Sequence, residues 1–170
     1  MSALSQNYQH QSAQEKLYAE WMRKGLFACN PKSGKEPFTI MMPPPNVTGN
    51  LHLGHALTYT IQDVLLRYQK MKGMDTLYQP GTDHAGIATQ MLVERQMNSE
   101  GINRHELGRE KFLNHVWSWK EKYGSAIVDQ QKKMGITADW DRSRFTMDAG
   151  LSDAVRKVFI DLYKQKLIYR

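Results

Sequence analysis

Residues 38–55 decide the fold, and they read FTIMMPPPNVTGNLHLGH. Their first five residues, 38–42, form an apolar run that fits a buried strand and is too short for a helix. Three prolines end the run, because proline cannot donate a hydrogen bond to a sheet. After a polar loop, apolar residues recur at helical spacing as far as Gly73. They are Leu57, Ile61, Val64, Leu65, Tyr68 and Met71. The sequence here therefore predicts a strand, a loop and a helix.

A second short strand is predicted at residues 76–78, which are followed by Gln79, Pro80 and Gly81. Strand, helix and strand together make a βαβ unit, in which the two strands are parallel and the crossover is right-handed. Ligands of open parallel sheets bind outside the carboxyl ends of the strands. We therefore expect the loops at 43–55 and 80–86 to lie side by side and to meet one ligand.

The rest of the chain is predicted to be mainly helical. A capping box of Ser12 and Glu15 predicts a helix over residues 13–24 that stops at Gly25. Apolar periodicity predicts three more helices, over 87–97, over 112–134 and from Leu151 to the terminus. Two strands are too few for a parallel sheet that is buried on both faces. We therefore expect an α/β fold that is part of a longer protein.

Composition excludes several classes of protein. The chain has 170 residues, of which 41% are hydrophobic and 24% charged, so it can bury a core. It has no run of about 18 apolar residues and no apolar leader segment, so we expect no membrane span and no signal peptide. A single cysteine, Cys29, cannot form an internal disulfide. These features predict a cytoplasmic protein.

The charge is unevenly distributed along the chain. Residues 43–95 are neutral, whereas residues 104–170 carry fourteen basic and nine acidic side chains. A basic C-terminal portion allows contact with phosphates or nucleic acid. On charge alone, a solvated helix surface with an excess of lysine is the simpler interpretation.

The phosphate-binding signatures of P-loop and dinucleotide-binding proteins are absent from the sequence. In their place, His52 and His55 open a helix, whose N-terminus offers free N–H groups and a partial positive charge to a polyphosphate. Gly54 between them would let a flat ring approach the backbone. Taken alone, such a histidine pair is more often structural than functional. The two histidines could also form a metal site with Asp83 and His84.

The two loops, read together, resemble class I aminoacyl-tRNA synthetases. Residues 45–55 resemble the signature of that family that ends in His-x-Gly-His. Residues 80–89, which read PGTDHAGIAT, are similar to the branch of the family that activates valine. Residues 139–148 and 167–170 extend the match, which runs from about Tyr18 to the end of the chain. The residues of the signature are Pro45, Asn46, Val47, Thr48, Gly49, Asn50, Leu51, His52, Leu53, Gly54 and His55.

This resemblance implies a reaction. Valine and ATP would give valyl-adenylate and pyrophosphate, and the valyl group would pass to the tRNA for valine. His52 and His55 would be catalytic and would bind ATP by stabilising charge on its phosphoryl oxygens, and Gly54 would lie beneath adenine. Mg²⁺ would accompany ATP through the phosphates, with no dedicated metal site on the protein.

The resemblance also implies a valine site. Asp83 would pair with the ammonium group, Pro43 and Pro44 would form walls around the small branched side chain, and Asn46 would be a nearby polar contact. Alternatives are an isoleucine- or leucine-type synthetase, or a separate nucleotide- or RNA-binding module of the same fold.

The resemblance further predicts how the chain is organised. Residues 1–170 would be a single unit, the N-terminal half of a Rossmann-like catalytic domain, with a helix and loop over residues 1–36. A Lys-Met-Ser-Lys-Ser-type loop, an editing domain and an anticodon-binding region are not found in the sequence. We therefore expect these residues alone to be inactive, and we expect the full-length form to be a monomer.

Overall fold

A computed structural model describes residues 7–170, so the predictions for the N-terminal segment lie partly outside the described residues. The described chain contains six α-helices, four short strands and one 3₁₀ helix. In chain order they are α1 (His10–Arg23), β1 (Pro37–Met41), α2 (Leu53–Met71), β2 (Asp75–Gln79), β3 (Gly81–Thr82), α3 (Gly86–Ser99), α4 (Arg104–Leu107), α5 (Arg109–Lys133), the 3₁₀ helix (Trp140–Arg142), β4 (Arg144–Phe145) and α6 (Ala149–Lys164).

These residues form two compact units. The first comprises the described part of Met1–Met42 together with Leu51–Gln79 and Val128–Arg142. The second comprises Pro43–Asn50, Pro80–Ile127 and Ser143–Arg170. The interpretation of residues 1–170 as half of a catalytic domain stays a prediction.

The strand–helix–strand unit predicted from the sequence is confirmed in the first unit. β1 and β2 pair in parallel, with a register that runs from Pro37 opposite Asp75 to Met41 opposite Gln79. α2 connects the two strands and begins one turn before the first periodic apolar residue. Gly73 ends this helix with a φ of 94°, a conformation that glycine adopts without strain.

The core of the first unit lies between the two strands, α2 and the chain that follows α5. Its buried members are Met42, Tyr59, Leu66, Tyr78, Ile136 and Ala138. α1 joins this unit through Tyr18, whose hydroxyl donates to the carbonyl of Ile136 at 2.7 Å and accepts from the indole N–H of Trp140 at 2.8 Å. Burial raises the pKa of Tyr18 to about 12, so the phenol stays neutral and can keep donating at physiological pH.

The second unit is built around α3 and the first part of α5. Val93, Met97 and Phe112 form its buried cluster. β3 pairs in parallel with β4, Gly81 opposite Arg144 and Thr82 opposite Phe145. Both strands are two residues long, too short to leave a periodic pattern, and the sequence did not predict them.

The predicted start of the first helix is wrong. α1 begins at His10 after Gln9, which makes no side-chain capping bond. Ser12 lies inside the helix, and its hydroxyl donates to the carbonyl of Gln9 at 3.1 Å instead of accepting a backbone N–H. A serine within the first turn of a helix can bond backward to the chain in this way, and it then does not mark the boundary.

The last helix also differs from its prediction, because it does not run to the terminus. α6 ends at Lys164, and Lys166 adopts a left-handed φ of 60°. The N–H of Lys166 donates to Tyr163, and that of Leu167 donates to Leu162, each at 3.0 Å. This is the Schellman arrangement, and the lysine takes the position where glycine is usual, so the sequence carried no stop signal.

No helix among residues 7–170 is long and apolar enough to cross a membrane.

Asp63 ties α2 to the segment after α5. Its Oδ1 accepts the backbone N–H of Thr137 at 2.8 Å and the hydroxyl of the same residue at 2.5 Å. Its Oδ2 accepts Nε of Arg67 at 2.7 Å, and the Arg67 guanidinium also donates to the carbonyl of Gly135. Because Asp63 is only 6% exposed, its removal leaves several donors without a partner.

We expect Asp63→Ala to lower the free energy of unfolding by about 2–3 kcal/mol, because bonds to a buried charged group are lost together. The control is Asp153→Ala, which removes an exposed ion pair with Arg156 of 3.7 Å and should change stability by less than about 0.5 kcal/mol. Urea unfolding of both variants measures the difference. Equal losses would contradict the structural role given to Asp63.

Candidate active site

His52 and His55 stand at the start of α2 in the first unit and cap each other's backbone. His52 is the residue before the helix, not a member of its face, and its Nδ1 accepts the N–H of Gly54 at 3.1 Å. His55 turns back so that its Nδ1 accepts the N–H of His52 at 3.2 Å. The ring centres lie 3.9 Å apart. The two imidazoles are thus adjacent, and they reach that position as a capping pair.

These capping bonds fix the tautomer of both rings. An Nδ1 atom that accepts a hydrogen bond carries no proton, so a neutral imidazole in this position holds its proton on Nε2. Burial and the neighbouring His52 ring lower the pKa of His55, which favours its neutral form. Each histidine therefore presents an Nε2–H donor beside the N-terminus of a long helix.

Gly54 leaves room for the His52 ring in its capping position. A Cβ atom at position 54 would lie 2.9 Å from Cε1 and 3.0 Å from Nδ1 of His52, closer than side-chain carbons normally approach. A larger residue would push the imidazole out of its capping position. The expected place of adenine above Gly54 stays a prediction.

In the second unit, the loop that follows β1 pairs with the loop that contains Asp83. The N–H of Asp83 donates to the carbonyl of Pro45 at 2.8 Å, and the N–H of Val47 donates to the carbonyl of Asp83 at 2.9 Å. Asn46 lies opposite Asp83 in this short parallel bridge. The indole N–H of Trp119 donates to the carbonyl of Val47 at 2.8 Å and anchors the loop to α5.

The polar contacts of the Asp83 carboxylate within its unit all go to Oδ1. This oxygen accepts the N–H of Ala85 at 3.0 Å and lies 3.2 Å from the hydroxyl of Thr146 and 3.3 Å from Nδ1 of His84. The side chain is 37% exposed. None of these contacts involves Oδ2.

Thr146 is a residue of this cluster that the sequence analysis did not single out. It follows β4 and lies sixty-three positions beyond Asp83 in the chain. No spacing rule links two residues so far apart, and only the pairing of β3 with β4 brings them together. Residues 139–148, which extend the resemblance to the family, include Thr146. Their match was the one signal in the sequence that pointed to this residue.

The predicted site residues fall in both units. His52, Gly54 and His55 belong to the first unit, whereas Pro43, Pro44, Asn46 and Asp83 belong to the second. Pro43, Pro44 and Asn46 are exposed, so their side chains are accessible to a ligand. Among residues 7–170, no group of three or more His, Cys, Asp or Glu side chains could hold a metal ion. The four residues considered for a metal site, His52, His55, Asp83 and His84, therefore do not form such a group in the described part of the chain.

Comparison with known proteins defines the class. Residues 16–170 match the family described as tRNA synthetases class I (I, L, M and V), and the chain belongs to this family. The fold agrees with that of a LeuRS from Agrobacterium radiobacter K84, solved as a ternary complex with tRNA and LeuAMS. The TM-score is 0.80 at 24% identity, over 96% of this chain and 19% of that one. The predicted α/β fold class is confirmed.

Within the family, the chain is similar to valine–tRNA ligases. It is 54% identical to that of Francisella tularensis over 98% of this chain and 18% of the relative. It is 58% identical to that of Granulibacter bethesdensis over 98% of this chain and 19% of the relative. It is 59% identical to that of Staphylococcus carnosus over 90% of this chain and 18% of the relative. The chain thus spans less than a fifth of the length of these relatives. The matches confirm the resemblance to the valine branch and do not favour an isoleucine- or leucine-type protein.

We expect His55 to titrate below its ordinary pKa of 6.5, because burial and the adjacent His52 disfavour its charged form. His52→Ala should raise the midpoint toward 6.5, and long-range proton–nitrogen NMR should place the proton of the neutral ring on Nε2. An unfolded imidazole binds the proton more readily than this one, so the contribution of His55 to stability declines as pH falls below 6.5. A midpoint above 6.5, or a proton on Nδ1, would contradict the capping arrangement.

Proposed function

We propose that these residues are the N-terminal part of the catalytic domain of a valine–tRNA ligase. The enzyme joins valine to ATP as valyl-adenylate, releases pyrophosphate and transfers the valyl group to the tRNA for valine. The observation that carries the proposal is an identity of 52–59% with valine–tRNA ligases over 90–99% of the chain. The geometry of the two loops supports it.

The histidine pair suits the triphosphate of ATP. When the valine carboxylate attacks the α-phosphate, negative charge grows on the phosphoryl oxygens. Nε2–H of His52 and of His55 are donors whose tautomer is already set, and the N-terminus of the 19-residue helix α2 adds a partial positive charge. Donors that need no reorganisation stabilise such a transition state by about 2.7–4 kcal/mol each. Adenine lies over Gly54 in this proposal.

The second loop pair suits the amino acid. The Asp83 carboxylate, held through Oδ1 and partly exposed, binds the ammonium group of valine through Oδ2. Pro43 and Pro44 line the site of the branched side chain. Both residues are rigid, so little conformational entropy is lost when valine binds. Asn46 adds a polar contact beside Asp83.

The remaining partners follow from the reaction. Mg²⁺ enters with ATP and is bound through the phosphates, which is typical of this cation. The basic residues of 104–170 provide charge for contact with tRNA. We place the whole protein in the cytoplasm as a monomer.

The complete polypeptide that contains these residues should catalyse valine-dependent exchange between ATP and pyrophosphate. We expect His52→Ala to lower the rate constant of exchange by about 10²-fold or more, because a preorganised donor to the transition state is lost. The KM for valine should change less than threefold, since the amino acid contacts other residues.

The matched control is His105→Ala. His105 is exposed on α4 and contributes to no proposed contact, so its loss should leave exchange within about twofold of the parent. An exchange rate that is unchanged in His52→Ala would contradict the role given to the histidine pair.

A further inference from the structure

The Thr146 hydroxyl lies at the centre of the polar cluster around Asp83. It accepts the backbone N–H of His84 at 2.9 Å, and it lies 2.6 Å from Nδ1 of His84 and 3.2 Å from Oδ1 of Asp83. Its own backbone is fixed, because the N–H of Thr146 donates to the carbonyl of Thr82 at 3.1 Å. The half-buried hydroxyl is therefore held at a defined point next to the carboxylate.

Two assignments of the protons fit these distances, and one of them gives the Asp83 carboxylate a second donor. A threonine hydroxyl has one proton and two lone pairs, whereas a carboxylate only accepts. One lone pair accepts the His84 backbone N–H. If Nδ1–H of His84 donates to the second lone pair, the hydroxyl proton is free to donate to Asp83. The reverse assignment, with the hydroxyl donating to Nδ1, removes this donor from the carboxylate.

We propose that Thr146 is a positioning residue for amino-acid recognition. Its hydroxyl and the N–H of Ala85 hold Oδ1 of Asp83, so that Oδ2 is presented to the α-ammonium group of the substrate. Without the hydroxyl, the carboxylate can rotate about its side-chain bonds. Ligand binding must then order it, and this cost lowers the affinity. The inference rests on the proposed function, in which Asp83 binds that ammonium group.

The experiment compares two ligands of the complete polypeptide by titration calorimetry. One is valyl-adenylate with a sulfamate in place of its phosphate, and the other is the same compound without the α-ammonium group. Thr146→Val removes the hydroxyl at constant shape and should weaken the first ligand about tenfold, with the second changed less than twofold. Thr146→Ser retains the hydroxyl and should restore the affinity of the first ligand to within about threefold of the parent.

The matched control is Thr137→Val in the first unit. Thr137 is also half-buried, and its hydroxyl also donates to an aspartate, the buried Asp63. This variant should lower the melting temperature and leave the ratio of the two affinities unchanged. If Thr146→Val weakens both ligands equally, or neither, the positioning role is overturned.

Asp83→Asn separates this inference from the proposed function. If Asp83→Asn does not weaken the ammonium-bearing ligand more than the other ligand, Asp83 is not the ammonium partner, and the proposed amino-acid site fails. If Asp83→Asn weakens the ammonium-bearing ligand selectively and Thr146→Val does not, only the inference fails. Should Thr146→Val not fold, NMR of the parent protein decides. A neutral His84 with its proton on Nδ1 supports the arrangement, and a proton on Nε2 overturns it.

Discussion

At the ends of β1 and β2, Met41 lies opposite Gln79, and the N–H of Met42 donates to the carbonyl of Gln79 at 3.0 Å. This parallel pairing sets the geometry of both loops, because the two strands end together and a proline follows soon after each, Pro43 two residues beyond β1 and Pro80 directly after β2. Pro43 and Pro80 have no N–H to extend a ladder. The ladder between β1 and β2 therefore ends at these positions. The residues that follow, which include the short β3 and the bridge between Asn46 and Asp83, can take conformations that serve a ligand.

Both loops order their chemical groups by the same device, a backbone N–H donated to a side chain. In the first unit the acceptors are Nδ1 of His52 and of His55, and in the second unit the acceptor is Oδ1 of Asp83. Each of these bonds uses one polar atom of a side chain that has two, a ring nitrogen of histidine or an oxygen of the carboxylate. The atoms left over, Nε2 of the histidines and Oδ2 of the aspartate, have complementary chemistry, since the first donate to anions and the second accepts from cations. The Nε2 donors suit a triphosphate, and the Oδ2 acceptor suits an amino acid that carries an ammonium group.

The sequence predicted those parts of the molecule that carry a local signal. The apolar run before Pro43, the periodic residues of α2 and the glycine stop at Gly73 were enough for the parallel unit. The sequence rules for helix ends failed at two residues. Ser12 lies inside α1, and Lys166 follows α6 in a position typical of glycine. Thr146 could not be found from spacing, because its place beside Asp83 depends on pairing between strands of two residues each. Tertiary contacts of that kind leave no periodicity in a single sequence.

The proposed function is tested most directly by the amino-acid dependence of ATP–pyrophosphate exchange, measured with valine, isoleucine and leucine on the complete polypeptide that contains these residues. We expect the highest kcat/KM for valine, by about tenfold or more, because the proposed placement of Pro43 and Pro44 around a small branched side chain would exclude an added methylene. Fastest exchange with isoleucine or leucine would contradict the assignment of the site to valine. Exchange that does not depend on any amino acid would contradict the proposed reaction itself.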